Sequence, residues 1–486
     1  MKYSKILLAI LLSVLVLMQA GCALLNPNAG IEQLSQVVTA ENIAELEKYP
    51  DLKEVDLTGS TCYDEIHAYI AAHPEVSVTY KVYAANQELD PEETALVLDA
   101  GSFDYDELLS SLAYLPNMNS IQLPATDLTL DQIQGITAKY PNVQVSYTVS
   151  LMDKEYAPDV AEINLSDMTD EDIDAVLNAL AMLPDVAKIE LSNEVGVSAL
   201  SMDGAKKMME AAPEVQFHYS FDFYGNLLST DTERVELEYV EIGNEGEQNI
   251  RNALDLMPNC TYFKLEDCGI DSEVMASIRD DYPDVKVVWR IYCDKFTMCT
   301  DETMVRMTHR LDDTNCHELM YCTDVTYIDV GHNSTLTDVS FVKYMPNLEC
   351  VIVSGSPLTD ISAFADHDKL TWMELCFCGQ LVDISPLESC DNLKYLNVSF
   401  TKVSDLSPIE KLPLERLNSM GNKVSVQDAR AYEQNHPDCL TRFEGQQPYG
   451  YGWRYNDYGY TFFDYYLNMR AVFRYDDTNY HGNIRE

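Results

Sequence analysis

The amino-acid sequence predicts an elongated α/β solenoid with a parallel inner sheet, and three patterns lead to that prediction. Across residues 325–424, apolar residues recur in triplets, each followed by Asp-[Val/Ile/Leu]-Ser. A longer repeat precedes this stretch, and an aromatic-rich segment follows it. A fixed period indicates stacked units, because one unit cannot bury its own apolar edge. The triplets are Val325, Ile328, Val330; Leu348, Val351, Val353; Leu370, Met373, Leu375; Leu393, Leu396, Val398; and the pair Leu414, Leu417.

The aspartates that follow the triplets set the period. They are Asp338, Asp360, Asp383 and Asp405, which lie 22, 23 and 22 residues apart. We expect them to cap short turns, because an Asp side chain accepts a hydrogen bond from the backbone two residues on. The combined pattern L-x-x-L-x-L with a D-[IL]-S-P-L return resembles the bacterial leucine-rich repeat family, internalin-like subtype. The resemblance implies an arc or horseshoe with the sheet inside the curve, binding of another macromolecule, and no catalysis.

The pattern over residues 39–324 predicts irregular leucine-rich repeats of about 70 residues per unit, built from strands and helices. In each unit a Pro begins a strand-like stretch: Pro50, Pro116, Pro184 and Pro258, spaced 66, 68 and 74 residues apart. Helix patterns with apolar residues three and four apart lie between the strands, for example at 104–115 and 169–183. The links at 83–93 and 151–160 are compatible either with parallel rungs or with antiparallel hairpins.

The N-terminus resembles a lipoprotein signal. Lys2 and Lys5 precede an apolar run over residues 6–18 that is too short to span a bilayer comfortably. Ala20-Gly21-Cys22 resembles the bacterial lipobox, which implies cleavage after residue 21 and lipidation of Cys22. We therefore expect an extracytoplasmic, cell-surface protein that is held to the membrane by acyl chains; ordinary cleavage or an uncleaved anchor are the alternatives. Residues 22–38 are then a linker.

Composition limits the functions open to the chain. Its formal net charge is −48, from 80 acidic and 32 basic residues, which makes nucleic acid a poor partner. Twelve cysteines follow Cys22, and we favour packed thiols over disulfides. The Cys/His pairs near 293–322 are spaced six apart, unlike the closer pairs of zinc sites, so we expect no metal and no cofactor. No G-x-S-x-G, P-loop or Rossmann motif occurs, so we expect no enzyme; a hydrolase with a non-sequential site is the least favoured alternative.

The candidate binding site follows from strand alternation. Residues between the apolar positions of each triplet point away from the core and form two columns. We expect them to bind a protein or glycan on the concave face; the alternative is that they pack on each other or under the aromatic tail. On this basis Leu396→Asp should prevent soluble export, while Asn397→Asp should be tolerated. The first column is Tyr327, Cys350, Trp372, Tyr395 and Arg416, and the second is Asp329, Ile352, Glu374, Asn397 and Asn418.

Residues 325–445 then comprise the regular repeats and a last rung, and residues 446–486 form a separate segment. The latter holds nine tyrosines together with Trp453, Phe462, Phe463 and Phe473. Such aromatic density is unlike that of a disordered acidic tail. We expect either a cap on the last rung or a docking segment, and the second option supports an alternative function as a structural envelope spacer that docks a partner.

Overall fold

A computed structural model describes residues 26–98, 103–193, 195–456 and 461–484. The signal segment and the lipidation position Cys22 lie outside the described residues. The chain folds into two compact units, Met1–Tyr219 and Ser220–Glu486. Within the described part of the chain, no helix combines the length and the apolar character needed to cross a bilayer.

The first unit contains three parallel three-stranded sheets, each backed by helical segments. Its strands are β1 Gln33–Ser35, β2 Glu54–Asp56, β3 Ser77–Thr79, β4 Val82–Ala84, β5 Gln87–Leu89, β6 Ala95–Val97, β7 Ser120–Leu123, β8 Gln144–Tyr147, β9 Val149–Leu151, β10 Lys154–Tyr156, β11 Glu162–Asn164, β12 Lys188–Glu190 and β13 Gln216–His218. Its α-helices are α1 Tyr63–Ala72, α2 Tyr105–Ser111, α3 Leu130–Lys139, α4 Ile173–Leu180 and α5 Met202–Ala211. Short 3-10 helices span Ile43–Lys48, Leu112–Tyr114 and Asp170–Asp172.

The second unit contains a four-stranded sheet and a seven-stranded parallel sheet. Its strands are β14 Ser220–Phe223, β15 Asn226–Ser229, β16 Arg234–Glu238, β17 Tyr262–Glu266, β18 Lys286–Cys293, β19 Phe296–Cys299, β20 Met304–Arg306, β21 Tyr327–Asp329, β22 Cys350–Ile352, β23 Trp372–Glu374, β24 Tyr395–Asn397, β25 Arg416–Asn418 and β26 Leu440–Arg442. Its α-helices are α6 Glu247–Asp255, α7 Ser272–Asp281, α8 Val426–Asn435 and α9 Asp464–Val472. Its 3-10 helices are Asn244–Gly246, His317–Tyr321, Ser340–Tyr344, Ser362–Phe364, Ser385–Ser389 and Ser407–Ile409.

Antiparallel hairpins separate the long upstream repeats. The links left open by the sequence, 83–93 and 151–160, contain the hairpins β4–β5 and β9–β10. The same feature recurs as β14–β15 and β18–β19. Each group of three parallel strands is thus followed by a hairpin, which gives the repeat its length of about 70 residues and interrupts the parallel sheet.

The register of the seven-stranded sheet confirms the stacked triplets. Ile328, Val351, Met373, Leu396 and Leu417 are direct partners along β21–β25, and all are fully buried. Residues on either side of them align as the two predicted columns. The chain is therefore a leucine-rich-repeat solenoid whose apolar triplets form one continuous core beneath this sheet.

Turns and thiols also follow the expectations from the sequence. Each repeat aspartate accepts a hydrogen bond from the serine N–H two residues on, at 2.7–2.8 Å: Asp338 from Ser340, Asp360 from Ser362, Asp383 from Ser385 and Asp405 from Ser407. The twelve cysteines that follow Cys22 are free thiols, ten of them buried. Burial raises the pKa of Cys376 and Cys378 to about 12, so these thiols stay protonated and behave as packing residues.

Candidate functional site

The two columns lie on one face of the β20–β26 sheet, and the chain's own C-terminal segment, described at residues 446–456 and 461–484, covers them. Trp372, Glu374, Asn397 and Asn418 have no exposed surface, and Tyr395 is 6% exposed. The expectation of an exposed aromatic column is therefore wrong, and the alternative of packing under the aromatic tail is the one observed. The physical reason is that an uncovered aromatic face and an aromatic-rich segment both lose unfavourable contact with water when they meet.

Aromatic rings hold the segment on the face. Trp372 stacks on Tyr465 with centroids 5.4 Å apart, and Trp453 approaches it to 4.4 Å. Tyr395 contacts Tyr465 and Phe463 at 4.9 and 5.3 Å. Full burial of large apolar side chains contributes about 1.5–3 kcal/mol each, and four from the segment are almost completely buried, so the segment is firmly attached. These four are Trp453, Tyr466, Met469 and Phe473.

A buried carboxylate lies at the centre of the contact. Glu374 accepts hydrogen bonds from Trp453 Nε1 at 2.8 Å and from Arg454 Nη2 at 2.7 Å. The Arg454 guanidinium also lies over the Tyr449 ring, 4.1 Å from its centroid. Burial works to lower the pKa of Arg454, but the Glu374 carboxylate outweighs it and holds that pKa above its usual value. Each member of this ion pair compensates the burial of the other.

Other column side chains donate to main-chain carbonyls of the segment. Asn397 Nδ2 and Asn418 Nδ2 both donate to Pro448 O, at 3.0 and 2.9 Å. Arg416 Nη1 donates to Trp453 O at 3.2 Å. These donors bind main-chain carbonyls of the segment rather than particular side chains.

Contacts with the segment continue to the opposite end of the sheet. The Tyr475 hydroxyl donates a hydrogen bond to Asp329, a buried carboxyl whose pKa is raised by burial. Arg306 Nη1 donates to Phe473 O at 3.1 Å, and the Arg306 N–H donates to Asn483 Oδ1 at 2.7 Å. The segment therefore crosses the face from β25 to β20.

Sequence reasoning identified both columns but missed their partners Arg454 and Pro448. It also missed Arg306, which aligns with Asp329 on β20 and binds the segment. A signal for one of them was present. Glu374 and Asp329 stand in columns beside aromatic residues, and a carboxylate covered by apolar groups requires a donor or a cation. The adjacent Trp453 and Arg454 supply both within the aromatic-rich segment. The carbonyl of Pro448 carries no comparable sequence signal.

A cleft of the second unit is lined by Ser272, His317 and Glu318 among other residues. Ser272 Oγ donates to Glu318 Oε2 at 2.6 Å, and His317 Nε2 lies 3.6 Å from Glu318 Oε1. Ser272 thus donates its hydrogen bond to a carboxylate and not to the imidazole, unlike a nucleophile activated by histidine. In the described ranges, no three His, Cys, Asp or Glu side chains are grouped to hold a metal ion. The cleft has a volume of about 870 Å³, and its lining includes Asp267, Asp271, Glu273, Trp289, Asp294 and Glu318.

No protein-family model and no curated protein matches this chain. Solved structures show low-level likeness. An internalin (InlF) from Listeria monocytogenes is 15% identical, with 75% of this chain and 86% of that one covered and a TM-score of 0.27. A leucine-rich repeat protein from Leptospira interrogans is 11% identical, with coverage of 82% and 92% and a TM-score of 0.26. The functional domain of InlJ from Listeria monocytogenes is 12% identical, with coverage of 84% and 67% and a TM-score of 0.23.

TM-scores this low carry no weight of their own. The leucine-rich-repeat fold of this chain rests on its repeat period and on the register of β20–β26.

Proposed function

We propose that this protein is a leucine-rich-repeat scaffold that binds a protein or glycan ligand outside the cytoplasm, without catalysis. Acyl chains on Cys22 hold it to the membrane, and the strand faces turned away from the core carry the recognition surface. The observation that supports this most is the open strand face of the first unit, where polar side chains stand exposed on rigid strands. Side chains fixed on strands present a more precise surface than side chains on loops.

Each of the three sheets carries exposed side chains on this face. Over β1–β3 it forms a groove of about 410 Å³. Glu54 and Asp56 give this groove a negative charge, which favours a neutral or basic ligand. The exposed polar side chains on this face are Gln33, Ser35, Glu54, Ser77, Thr79, Gln122, Gln144, Ser146, Glu162, Asn164 and Gln216.

The test is ligand capture by the purified mature chain from envelope and host-surface material. We expect Glu54→Arg and Glu162→Arg to lose the captured ligand, because a charge reversal on the face removes complementarity. Glu210→Arg makes the same change at an exposed position of helix α5 and serves as the control. Capture that is unchanged in both face variants would contradict the proposal.

Membrane attachment is tested separately. We expect Cys22→Ser to move the protein from the membrane fraction to the soluble extracytoplasmic fraction and to abolish its labelling with fatty acid. Retention in the membrane fraction would contradict anchoring through Cys22.

The alternative is a structural envelope spacer that docks a partner through the C-terminal segment. Most of the segment's aromatic rings contact its own sheet, and this leaves few of them for a partner. One feature favours the alternative: on α9, Leu467 and Val472 remain 50% and 38% exposed. Loss of a co-purifying partner in Leu467→Asp, with capture at the open strand face unchanged, would support this second function.

A further inference from the structure

We propose that the β20–β26 face is a polypeptide-binding site for a partner segment that presents an indole beside a guanidinium. The C-terminal segment occupies this site until such a partner displaces it. The inference rests on the proposed function, in that strand faces are taken as the recognition surface. It concerns a different face from the open one tested above, so the two can fail separately.

The contacts identify the chemical class of the occupant. Arg416, Arg306 and the two column asparagines all donate to backbone carbonyls. Main-chain carbonyl acceptors at Pro448, Trp453 and Phe473 are a property of a polypeptide. A glycan offers mainly hydroxyl groups, and a nucleic acid would meet the excess negative charge of this protein. The site therefore fits a polypeptide main chain.

One position supplies sequence specificity. Glu374 accepts hydrogen bonds from both the Trp453 indole N–H and the Arg454 guanidinium, and Trp372 lies against the Trp453 ring. A buried carboxylate that must be matched by a donor and a cation discriminates strongly against segments lacking them, since an unmatched charge is costly there. An adjacent Trp–Arg pair, or an equivalent aromatic donor and cation, is the feature the site selects.

The resident segment leaves two buried polar atoms of the site without a hydrogen-bond partner. Trp372 Nε1 and Asn418 Oδ1 have no hydrogen-bond partner, although both side chains are fully buried beneath the segment. A buried polar atom without a partner is destabilising. A partner that brings an acceptor to Trp372 and a donor to Asn418 gains interactions that the resident segment does not make.

The connection to the last strand suits a displaceable occupant. Residues 444–447, between β26 and the first anchored carbonyl at Pro448, are all exposed. This short tether keeps the segment at a high effective concentration beside the face. A free peptide therefore binds poorly to the intact chain and well once the tether is cut.

The experiment uses the full chain with a protease recognition sequence inserted between Gln446 and Gln447. The probe is a fluorescent synthetic peptide of residues 446–484, and binding is measured by anisotropy before and after cleavage of the folded protein. We expect at least a tenfold gain in probe binding on cleavage. Equal binding by uncut and cut chains would overturn the proposal.

Specificity is tested with variant probes on the cut chain. Probes carrying Trp453→Ala or Arg454→Ala should bind at least tenfold more weakly, whereas Asn468→Asp, at an exposed position of α9, should bind like the parent peptide. If all three bind equally, the site at Glu374 does not select its occupant and the inference fails.

A second variant guards against loss of folding after cleavage. In the intact, uncut chain, Arg454→Ala loosens the resident segment, and we expect this protein to take up the parent probe better than the unchanged chain does. Should neither the cut chain nor this variant bind the probe, the site does not accept a polypeptide in trans. Ligand capture that still depends on Glu54 would leave the proposed function standing in that case.

Discussion

Removal of the Arg454 guanidinium isolates a carboxylate that has no exposed surface. Glu374 would retain only the indole N–H of Trp453. Breaking a buried ion pair by removing one partner costs about 3–5 kcal/mol, so we expect Arg454→Ala to lower the free energy of unfolding by about that amount in urea denaturation followed by tryptophan fluorescence. Arg474→Ala, which breaks the solvent-exposed pair with Asp477, should change it little. If Arg454→Ala changed the free energy of unfolding as little as Arg474→Ala does, Glu374 would not be an anchor of the segment.

At Asn397 the structure reverses the expectation from the sequence. Its Nδ2 donates to Pro448 O at 3.0 Å, and its Oδ1 accepts from the Ser399 N–H at 3.1 Å. Asn397→Asp keeps the acceptor, loses the donor and faces a carboxylate toward a carbonyl, which should destabilise the protein by about 1–3 kcal/mol. Thermal unfolding measures this, with Asn468→Asp as an exposed isosteric control. An unchanged melting temperature for Asn397→Asp would contradict the contact. Leu396→Asp remains expected to prevent soluble export.

The turn that follows β22 in the β20–β26 sheet requires a residue with a positive φ. Gly355 has φ +78°, and an added Cβ would lie 3.2 Å from His332 Nδ1. A left-handed conformation costs about 1–2 kcal/mol for a residue with a side chain, so we expect Gly355→Ala to destabilise by about that amount. A methyl group added at Gly379 would meet no atom within 4 Å, and φ is not positive there, so Gly379→Ala should be nearly neutral. Chemical denaturation of both variants tests the difference, and equal effects would contradict it.

The C-terminal segment should detach in alkali. Burial raises the pKa of Tyr465 and of Tyr475 above the ordinary tyrosine value of about 10. The folded state then retains protons that the unfolded state releases, so the stabilisation is complete below about pH 10 and is lost as pH rises beyond it. We expect phenolate absorbance and tryptophan fluorescence to change together in one transition above that pH. Ionisation of these tyrosines without a fluorescence change would contradict the prediction.

Periodicity shows why some of these elements were predictable and others were not. Spacing within a triplet determines whether Leu396 points inward and Asn397 outward, so the columns could be derived from local sequence. The cover over the columns depends on contacts such as Glu374 with Trp453, which are 79 residues apart along the chain. No local period encodes such a contact. The hairpins were equally undecided, because a strand-like link has the same alternation in a rung and in a hairpin.

For the whole molecule, the dominant electrostatic property is an excess of 48 negative charges. Many of the ion pairs are exposed, for example Lys53 with Glu32 and Lys207 with Asp174, and such pairs stabilise a protein little. Salt screens attraction and repulsion alike, and its screening length falls from about 30 Å at 0.01 M to about 3 Å at 1 M. Because repulsion is in excess, its relief should outweigh the loss of the exposed pairs.

We therefore expect the melting temperature to rise steadily as sodium chloride is increased, when unfolding is followed by circular dichroism. A variant with three exposed acids of the first unit neutralised, Glu171→Gln, Asp203→Asn and Glu210→Gln, has less repulsion to relieve and should respond less steeply. Choline chloride should act like sodium chloride, because screening depends on ionic strength rather than on the cation. A melting temperature that falls with salt would mean that attractive pairs, and not the net charge, govern the stability of the chain.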